Sequence, residues 1–169
     1  MKSKLFVILS LSAGIFFIAC KKESGSTTLK VKLTDAPASY EEVNVDIHEV
    51  NIKMDGDSAS WISLPTTAGI YNLLEYQDGV DTLISQAVLT GKSIKEVRLV
   101  LGDENSIKMG GVIHPLIIPS GSESGLKIKM NKTLNGGIDY LTLDFDAALS
   151  VKQETNGFKL RPVVKIVSL

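Results

Sequence analysis

Strict alternation of apolar and polar residues is the feature that most constrains the fold of this chain. From Leu29 to Thr34, leucine or valine occupies every second position, and lysine or threonine occupies the positions between them. A period of two places the two sets of side chains on opposite faces of a β-strand. The segment therefore predicts a strand with one buried and one exposed face.

The same period recurs through the rest of the chain and predicts at least seven strands. The second run changes parity between Ile47 and Val50, which predicts a β-bulge near His48 and Glu49. Paired glycines at 110–111 and 136–137, and the glycine at 157, favour tight reversals between strands. The further runs are residues 61–64, 97–101, 126–130, 141–145, 158–160 and 164–166.

One segment departs from this period. Val80, Leu83, Ile84, Ala87 and Val88 are spaced as one face of an amphipathic helix. Many alternating runs and a single helix favour an antiparallel arrangement over a parallel α/β sheet. The sequence therefore predicts a mostly β fold, an antiparallel β-sandwich of about seven to nine strands with one short helix.

The first residues have the three parts of an export signal. Lys2 and Lys4 form a basic start, residues 5–18 are largely apolar, and Ala19 and Cys20 form a small-residue junction. As a helix, residues 5–19 would rise only ~22 Å, whereas the hydrocarbon core of a bilayer is ~30 Å thick. A cleaved signal peptide is therefore favoured over a permanent membrane span.

The stretch Phe17-Ile18-Ala19-Cys20 resembles the lipobox of bacterial lipoproteins. This resemblance implies that Cys20 is lipidated on its sulfur and becomes the first residue after cleavage. Residues 21–28 are polar, which is typical of a flexible tether. We expect a signal peptide at 1–19, the lipidated cysteine and tether at 20–28, and one sandwich domain at 29–169. The expected location is the bacterial outer membrane, facing either the periplasm or the cell surface.

Charge, cysteine and histidine content argue against a nucleic-acid partner and against stabilisation by a disulfide or a zinc ion. Without the two leader lysines, 16 basic residues face 19 acidic ones, a net charge near −3, which argues against nucleic acid as a partner. Cys20 is the only cysteine, so no disulfide can form within the chain. His48 and His114 lack the ligand spacing of a zinc site, so none is expected.

Three aspartates form the one candidate metal site. Thr142, Asp144 and Asp146 share a parity opposite to the apolar residues of their strand, and Asp35 ends the first strand. If Asp35 approached Asp144 and Asp146, their oxygens would suit Ca²⁺, which takes six to eight oxygen ligands. The alternative is that the acids are solvated, or that Asp35 caps a turn before Pro37. No other cofactor is expected.

Aromatic and nucleophilic residues leave two further alternatives open. Trp61, Tyr71 and Tyr76 would form a platform for sugar rings if they met on one surface, or they would pack in the core. No serine or cysteine is placed beside a histidine in a known catalytic pattern, and His114 lies in an apolar stretch. We therefore expect a protein that is not an enzyme.

Several motifs resemble a family of bacterial lipoprotein domains of unknown function. The resemblance implies an immunoglobulin-like or prealbumin-like sandwich and implies no known reaction. Its motifs span nearly the whole chain after Cys20. They are Leu33-Thr34-Asp35-Ala36-Pro37, Tyr71-Asn72-Leu73-Leu74, the Gly91-to-Leu101 strand, Asp144-Phe145-Asp146 with Ser150-Val151, and Leu160-Arg161-Pro162-Val163.

Together these features predict a lipid-anchored binding or structural module in the cell envelope. Its partners are expected to be the membrane, through the lipid anchor, and an envelope protein or glycan. One alternative is a hydrolase, either glycan-acting or metal-dependent, which for a glycosidase requires two cooperating carboxyl groups. Another alternative is an adhesin or a component of a fibre, built through an exposed strand edge.

Overall fold

The computed structural model describes residues 25–56, 60–91, 93–119 and 125–168. These residues form thirteen β-strands, one α-helix and one 3₁₀ turn. The α-helix, α1, is Ala147–Ser150, and the 3₁₀ turn is Leu73–Tyr76. In chain order the strands are β1 Thr27–Thr34, β2 Glu42–Met54, β3 Ile62–Leu64, β4 Gly69–Asn72, β5 Thr82–Leu89, β6 Ser93–Leu101, β7 Ser106–Met109, β8 Val112–Ile117, β9 Leu126–Thr133, β10 Gly137–Phe145, β11 Val151–Glu154, β12 Gly157–Leu160 and β13 Val164–Ser168.

Two sheets enclose a single hydrophobic core. The smaller sheet has the order β13-β10-β1-β5, and the larger has the order β11-β12-β8-β7-β2-β6-β9, with β3 and β4 paired to β2. Leu29 of β1, Ile52 of β2, Val97 of β6 and Phe145 of β10 are fully buried in the same cluster. The prediction of a mostly β, two-layer fold is confirmed.

Strand β2 is the centre of the larger sheet. It pairs along one edge with β6 and β7 and along the other with β3 and β4, so that Ile47 lies between Leu101 and Gly69. Its register with β6 shifts between Ile47 and Glu49, which confirms the predicted bulge. Because of this bulge, Val50 points into the core although its parity differs from that of Ile47.

Both sheets are mixed, whereas the sequence predicted antiparallel pairing. Strand β1 pairs with β10 in parallel along its whole length, and β12 pairs with β8 in parallel. Alternation reports which face of a strand is buried and carries no information on the direction of its neighbour. The thirteen strands exceed the expected seven to nine because β4, β7, β8 and β11 are only four to six residues long and because β5 has the apolar spacing of a helix.

The helix predicted over Val80 to Val88 is wrong, because this segment contains β5. Leu83 pairs with Lys32 and Ser85 with Val31, so Ile84 forms a bulge on β5. That extra residue changes the parity of the strand, and the resulting apolar spacing imitates a helical period. Among the described residues the one α-helix is α1, which connects β10 of the smaller sheet to β11 of the larger sheet.

A short segment, residues 65–67, joins the edges of the two sheets and is called the strap here. The backbone N–H of Thr67 donates to the carbonyl of Ile84 at 2.8 Å, and the N–H of Gln86 donates to the carbonyl of Pro65 at 3.3 Å. The Ser85 hydroxyl also donates to the carbonyl of Pro65, at 2.8 Å. The strap therefore holds β5, an edge strand, against the end of β3.

Strand β1 begins at Thr27, two residues before the domain boundary expected at 29, and Thr27 is fully buried. The expected signal peptide, Cys20 and the first part of the expected tether lie outside the described residues. Within the described part of the chain, no helix has the length and apolar character that crossing a bilayer requires.

Candidate functional site

The edge groove lies between β3 and β5, where the two sheets come close without pairing. It has a volume of about 430 Å³ and is lined by residues 62–65 of β3 and the strap and by residues 86–89 of β5. A second hollow, of about 330 Å³, lies on the other side of the strap, against Leu83 and Ser85. The strap thus closes the side of the sandwich at one point and leaves it open on both sides of that point.

The edge groove exists because its two strands use only one edge each in a ladder. Strand β3 pairs with β2, and β5 pairs with β1. Beyond Gln86, the described residues contain no backbone hydrogen bond from β5 to β3. Since alternate residues of a strand direct their N–H and C=O groups to the same edge, Val88 directs both of its groups toward the groove, as Gln86 does toward the strap.

The floor of the edge groove is formed by side chains at the edge of the hydrophobic core. Leu64 and Leu89 are buried there, Ala87 is half-buried, and Ile62 remains 38% exposed although its partner Ile52 is fully buried. Ile62 therefore lacks the cover that a further strand would supply. The groove combines uncovered apolar side chains with free backbone groups, which is the chemistry that an added extended chain satisfies.

Asp35 lies at the opposite end of the smaller sheet and is nearly fully buried. Its Oδ1 accepts a hydrogen bond from the backbone N–H of Ala147 at 2.8 Å, and its Oδ2 accepts one from the side-chain amide of Gln77 at 2.9 Å. Burial raises the pKa of the Asp35 carboxyl above its ordinary 3.8, although these two hydrogen bonds act in the opposite direction. Both of its oxygens thus have protein partners.

Asp144 and Asp146 lie near Asp35, as the sequence required for the calcium hypothesis. Asp146 Oδ1 caps α1 by accepting from the N–H of Leu149 at 2.9 Å, and its Oδ2 lies 3.6 Å from Lys165 Nζ. Asp144 Oδ1 is buried and has no hydrogen-bond partner among the described residues. Burial raises the pKa of the Asp144 carboxyl above 3.8, and the charge of Asp146 raises it further.

The three aspartates therefore lie where segments that connect the two sheets meet. Among the described residues, no three Asp, Glu, His or Cys side chains are arranged to hold one metal ion. The oxygens of Asp35 and Asp146 accept hydrogen bonds from protein donors, and the donors to Asp35 are the distant Ala147 and Gln77 rather than residues of the turn before Pro37. A calcium site at Asp35, Asp144 and Asp146 stays a prediction.

Several of the motifs behind the family resemblance meet at this end of the molecule. The Ser150 hydroxyl accepts from the N–H of Val163 at 2.9 Å, and the Ser150 carbonyl accepts from the N–H of Arg161 at 2.8 Å. Asn72 caps the 3₁₀ turn and also accepts from the N–H of Val43 at 3.2 Å. Their side chains therefore fix the chain where it changes from one sheet to the other.

The three aromatic residues considered as a sugar platform do not share one surface. Tyr71 and Tyr76 are neighbours, with ring centroids 6.3 Å apart. Trp61 precedes β3, whereas Tyr71 pairs with Val45 about seven residues away along β2, a distance of ~24 Å. The Trp61 ring instead covers the guanidinium of Arg98, 4.7 Å from its centroid.

Both histidines have partners that the sequence did not indicate. His48 Nε2 lies 3.1 Å from Oδ2 of the buried Asp46, beside the bulge of β2. A Cβ on Gly102 would lie only 2.0 Å from Asp46 Oδ2 and 2.2 Å from His48 Nε2. His114 packs against Phe158, with ring centroids 5.0 Å apart. The parity of β2 was the only available signal, because residues two apart along a strand, such as Asp46 and His48, share a face.

Comparison with known proteins identifies a family but no individual relative. A family model described as a domain of unknown function (DUF4382) matches residues 26–162. The searches of curated proteins and of solved structures find no match. The matched region contains the edge groove and the three aspartates.

Proposed function

This chain belongs to the DUF4382 family, a domain of unknown function, and we propose that it is a lipid-anchored, non-enzymatic binding module of the bacterial cell envelope. In this proposal the module binds an extended segment of an envelope protein in the edge groove. The observation that carries it is the pair of strand edges, β3 and β5, that face each other across uncovered core side chains.

The backbone supports strand addition. An inserted strand forms main-chain hydrogen bonds with the free edge of β5, where Val88 directs its N–H and C=O groups outward from the ladder with β1. Residues 86–89 span ~13 Å, which is the length of a strand of four residues. Main-chain hydrogen bonds do not depend on the identity of the side chains, so they supply affinity for any extended segment. The floor of the groove supplies the selectivity.

The floor favours apolar side chains at alternate positions of the bound segment. Ile62, Leu64, Ala87 and Leu89 form its apolar part, and a strand laid between β3 and β5 directs every second side chain toward them. The other side chains of the segment face outward beside Ser63 and Gln86, which are polar and exposed. We therefore propose a partner sequence of alternating apolar and polar residues.

The location rests on the sequence of the leader. The lipobox-like Phe17-Ile18-Ala19-Cys20 supports lipidation at Cys20, and the polar residues after it support a tether to the outer membrane. Intact-mass measurement of the protein purified from membranes tests this step. A mass beginning at Cys20 with added acyl chains is expected, and a chain that retains Met1 contradicts it.

Site-specific photo-crosslinking in cells tests the groove. A photoreactive amino acid replaces Ser63, whose exposed side chain lies at the rim, and in a matched control it replaces Lys127, which is exposed on β9. We expect a crosslinked envelope protein at position 63 that is absent at position 127. The crosslinked peptide of that partner should alternate between apolar and polar residues.

The variant Val88→Pro tests whether strand addition is the mode of binding. Proline removes the N–H that faces the groove while leaving the hydrogen bonds of the β1–β5 ladder, since those use the neighbouring residues of β5. We expect circular dichroism like that of the wild type together with loss of the crosslink. Ala87→Pro, which removes an N–H facing β1, is the control that should destabilise the sheet.

Two outcomes contradict the proposal. A crosslink that persists in a folded Val88→Pro protein excludes pairing with β5. A crosslinked product with twice the mass of the chain identifies a second copy as the occupant, and the alternative of fibre assembly then replaces the proposal.

A further inference from the structure

The smaller sheet has an outer face whose composition changes along its length. Near the start of β1, the side chains of this outer face form three rows, each running across β5, β1 and β10. The first two rows contain no carboxylate. Leu29 and Val31 point into the core, so the side chains between them point outward. The first row is Val88, Thr28 and Ile138, the second is Gln86, Lys30 and Tyr140, and the third begins with Leu83 and Lys32.

Three of the six residues in the first two rows are exposed apolar or aromatic side chains. Val88 is 67% exposed, Ile138 56% and Tyr140 43%. Single exposed apolar residues are ordinary, but several on the same face of a sheet mark a surface that contacts a membrane or another molecule.

Lysines surround the aromatic ring of this face. The Nζ atoms of Lys30 and Lys32 lie 6.0 Å and 5.1 Å from the centroid of the Tyr140 ring. Lys32 is paired with Asp81 at 2.9 Å, whereas Lys30 has no ion pair among the described residues. Acids of the face begin only beyond the second row, with Asp81 and then Asp144.

The tether leads directly to this face. Thr27, the first residue of β1, pairs with Leu89 and Gly137, so the chain enters beside the row that contains Val88 and Ile138. Seven residue steps separate Thr27 from Cys20, which allows at most about 24 Å between the lipidated residue and the sheet. The tether itself carries two lysines, Lys21 and Lys22, against one acid, Glu23.

We propose that the outer face of the smaller sheet lies on the anionic lipid surface into which Cys20 is anchored. This inference rests on the proposed lipidation. Val88 and Ile138 enter the acyl boundary, Tyr140 lies at the headgroup level, and Lys30 faces lipid phosphates, as apolar, aromatic and basic residues do at membrane interfaces. The acids at the other end of the sheet are thereby kept away from the lipid phosphates.

Fluorescence quenching by spin-labelled lipids tests this orientation in the full lipidated protein. Cys20 is the chain's one cysteine and its sulfur carries lipid, so an introduced cysteine takes up a dye at a single position. Ile138→Cys carries the dye on the outer face. The matched control is Ile113→Cys on β8 of the larger sheet, which is 64% exposed. Vesicles contain phosphatidylglycerol and phosphatidylethanolamine.

We expect the dye at position 138 to be quenched several-fold more than the dye at position 113. Adding Lys30→Gln to Ile138→Cys, or raising the salt concentration, should reduce that quenching. Equal quenching at the two positions, with Cys20 lipidated by intact mass, overturns the orientation and leaves the anchor intact. An unmodified Cys20 overturns both the anchor and the orientation. If the dye at position 138 is shielded from solvent in detergent and the protein there has twice the mass of one chain, a second copy covers this face. That result overturns the proposal.

Discussion

The carboxylate of Asp35 accepts a hydrogen bond from the backbone N–H of Ala147, 112 residues later in the chain, at 2.8 Å. The same carboxylate accepts from Gln77 at 2.9 Å. One side chain at the end of β1 thus holds both the start of α1, where the chain leaves the smaller sheet, and the residue after the 3₁₀ turn. This places the Leu33-to-Pro37 and Asp144-to-Asp146 motifs in one structural unit.

Asp35→Ala should lower the free energy of unfolding by about 1–3 kcal/mol, because the buried N–H of Ala147 loses its acceptor. Asp35→Asn keeps an acceptor oxygen and should cost less. Urea denaturation measures both. Asp81→Ala is the control, since its ion pair with Lys32 is exposed and should contribute less than ~1 kcal/mol. Equal losses for Asp35→Ala and Asp81→Ala would contradict the assigned role.

Asp144→Asn should increase stability at neutral pH relative to the wild type. The pKa of Asp144 is raised in the folded state, mainly by burial, so the folded protein binds this proton more tightly than the unfolded chain does. Its contribution to stability is therefore present below pH 3.8 and is lost as the pH rises through the higher folded pKa. The difference in unfolding free energy between variant and wild type should grow between about pH 4 and pH 7. A difference in unfolding free energy that stays constant or shrinks over this pH range would refute the prediction.

Gly102→Ala should destabilise the protein by about 1–3 kcal/mol, because the added methyl group overlaps with Asp46 and His48. Thermal unfolding measures the loss. The control is Gly25→Ala, since a Cβ there meets nothing within 4 Å. Adding His48→Ala should restore part of the stability lost in Gly102→Ala, because the overlapping ring is then absent. No recovery in the double variant would contradict a contribution from the His48 ring and would leave the overlap with Asp46 Oδ2 as the cause.

Calcium addition tests the metal site predicted at Asp35, Asp144 and Asp146. If these residues bind the ion, millimolar calcium raises the melting temperature of the wild type, since a ligand that binds only the folded state stabilises it. The rise should disappear in Asp144→Asn/Asp146→Asn. No shift in the wild type at millimolar calcium disposes of the site.

Part of the candidate chemistry was predictable from the sequence. The parity of β10 indicated that Asp144 points away from the core, and the end of β1 indicated Asp35 as a possible neighbour. The edge groove and the pair of His48 with Asp46 were not predicted. The groove depends on β3, which is three residues long, and on β5, whose bulge gave it the apolar spacing of a helix.

The sequence alone determined which face of β1, β2, β6 and β10 is buried, where the β2 bulge lies and where glycine reverses the chain, because polarity and backbone freedom are local properties. Tertiary structure alone decided that β10 runs parallel to β1, that β5 and β3 leave a groove, and that Asp35 meets Ala147. These features depend on which distant segments become neighbours. That choice is made by burial of the whole core, to which every strand pairing contributes at once.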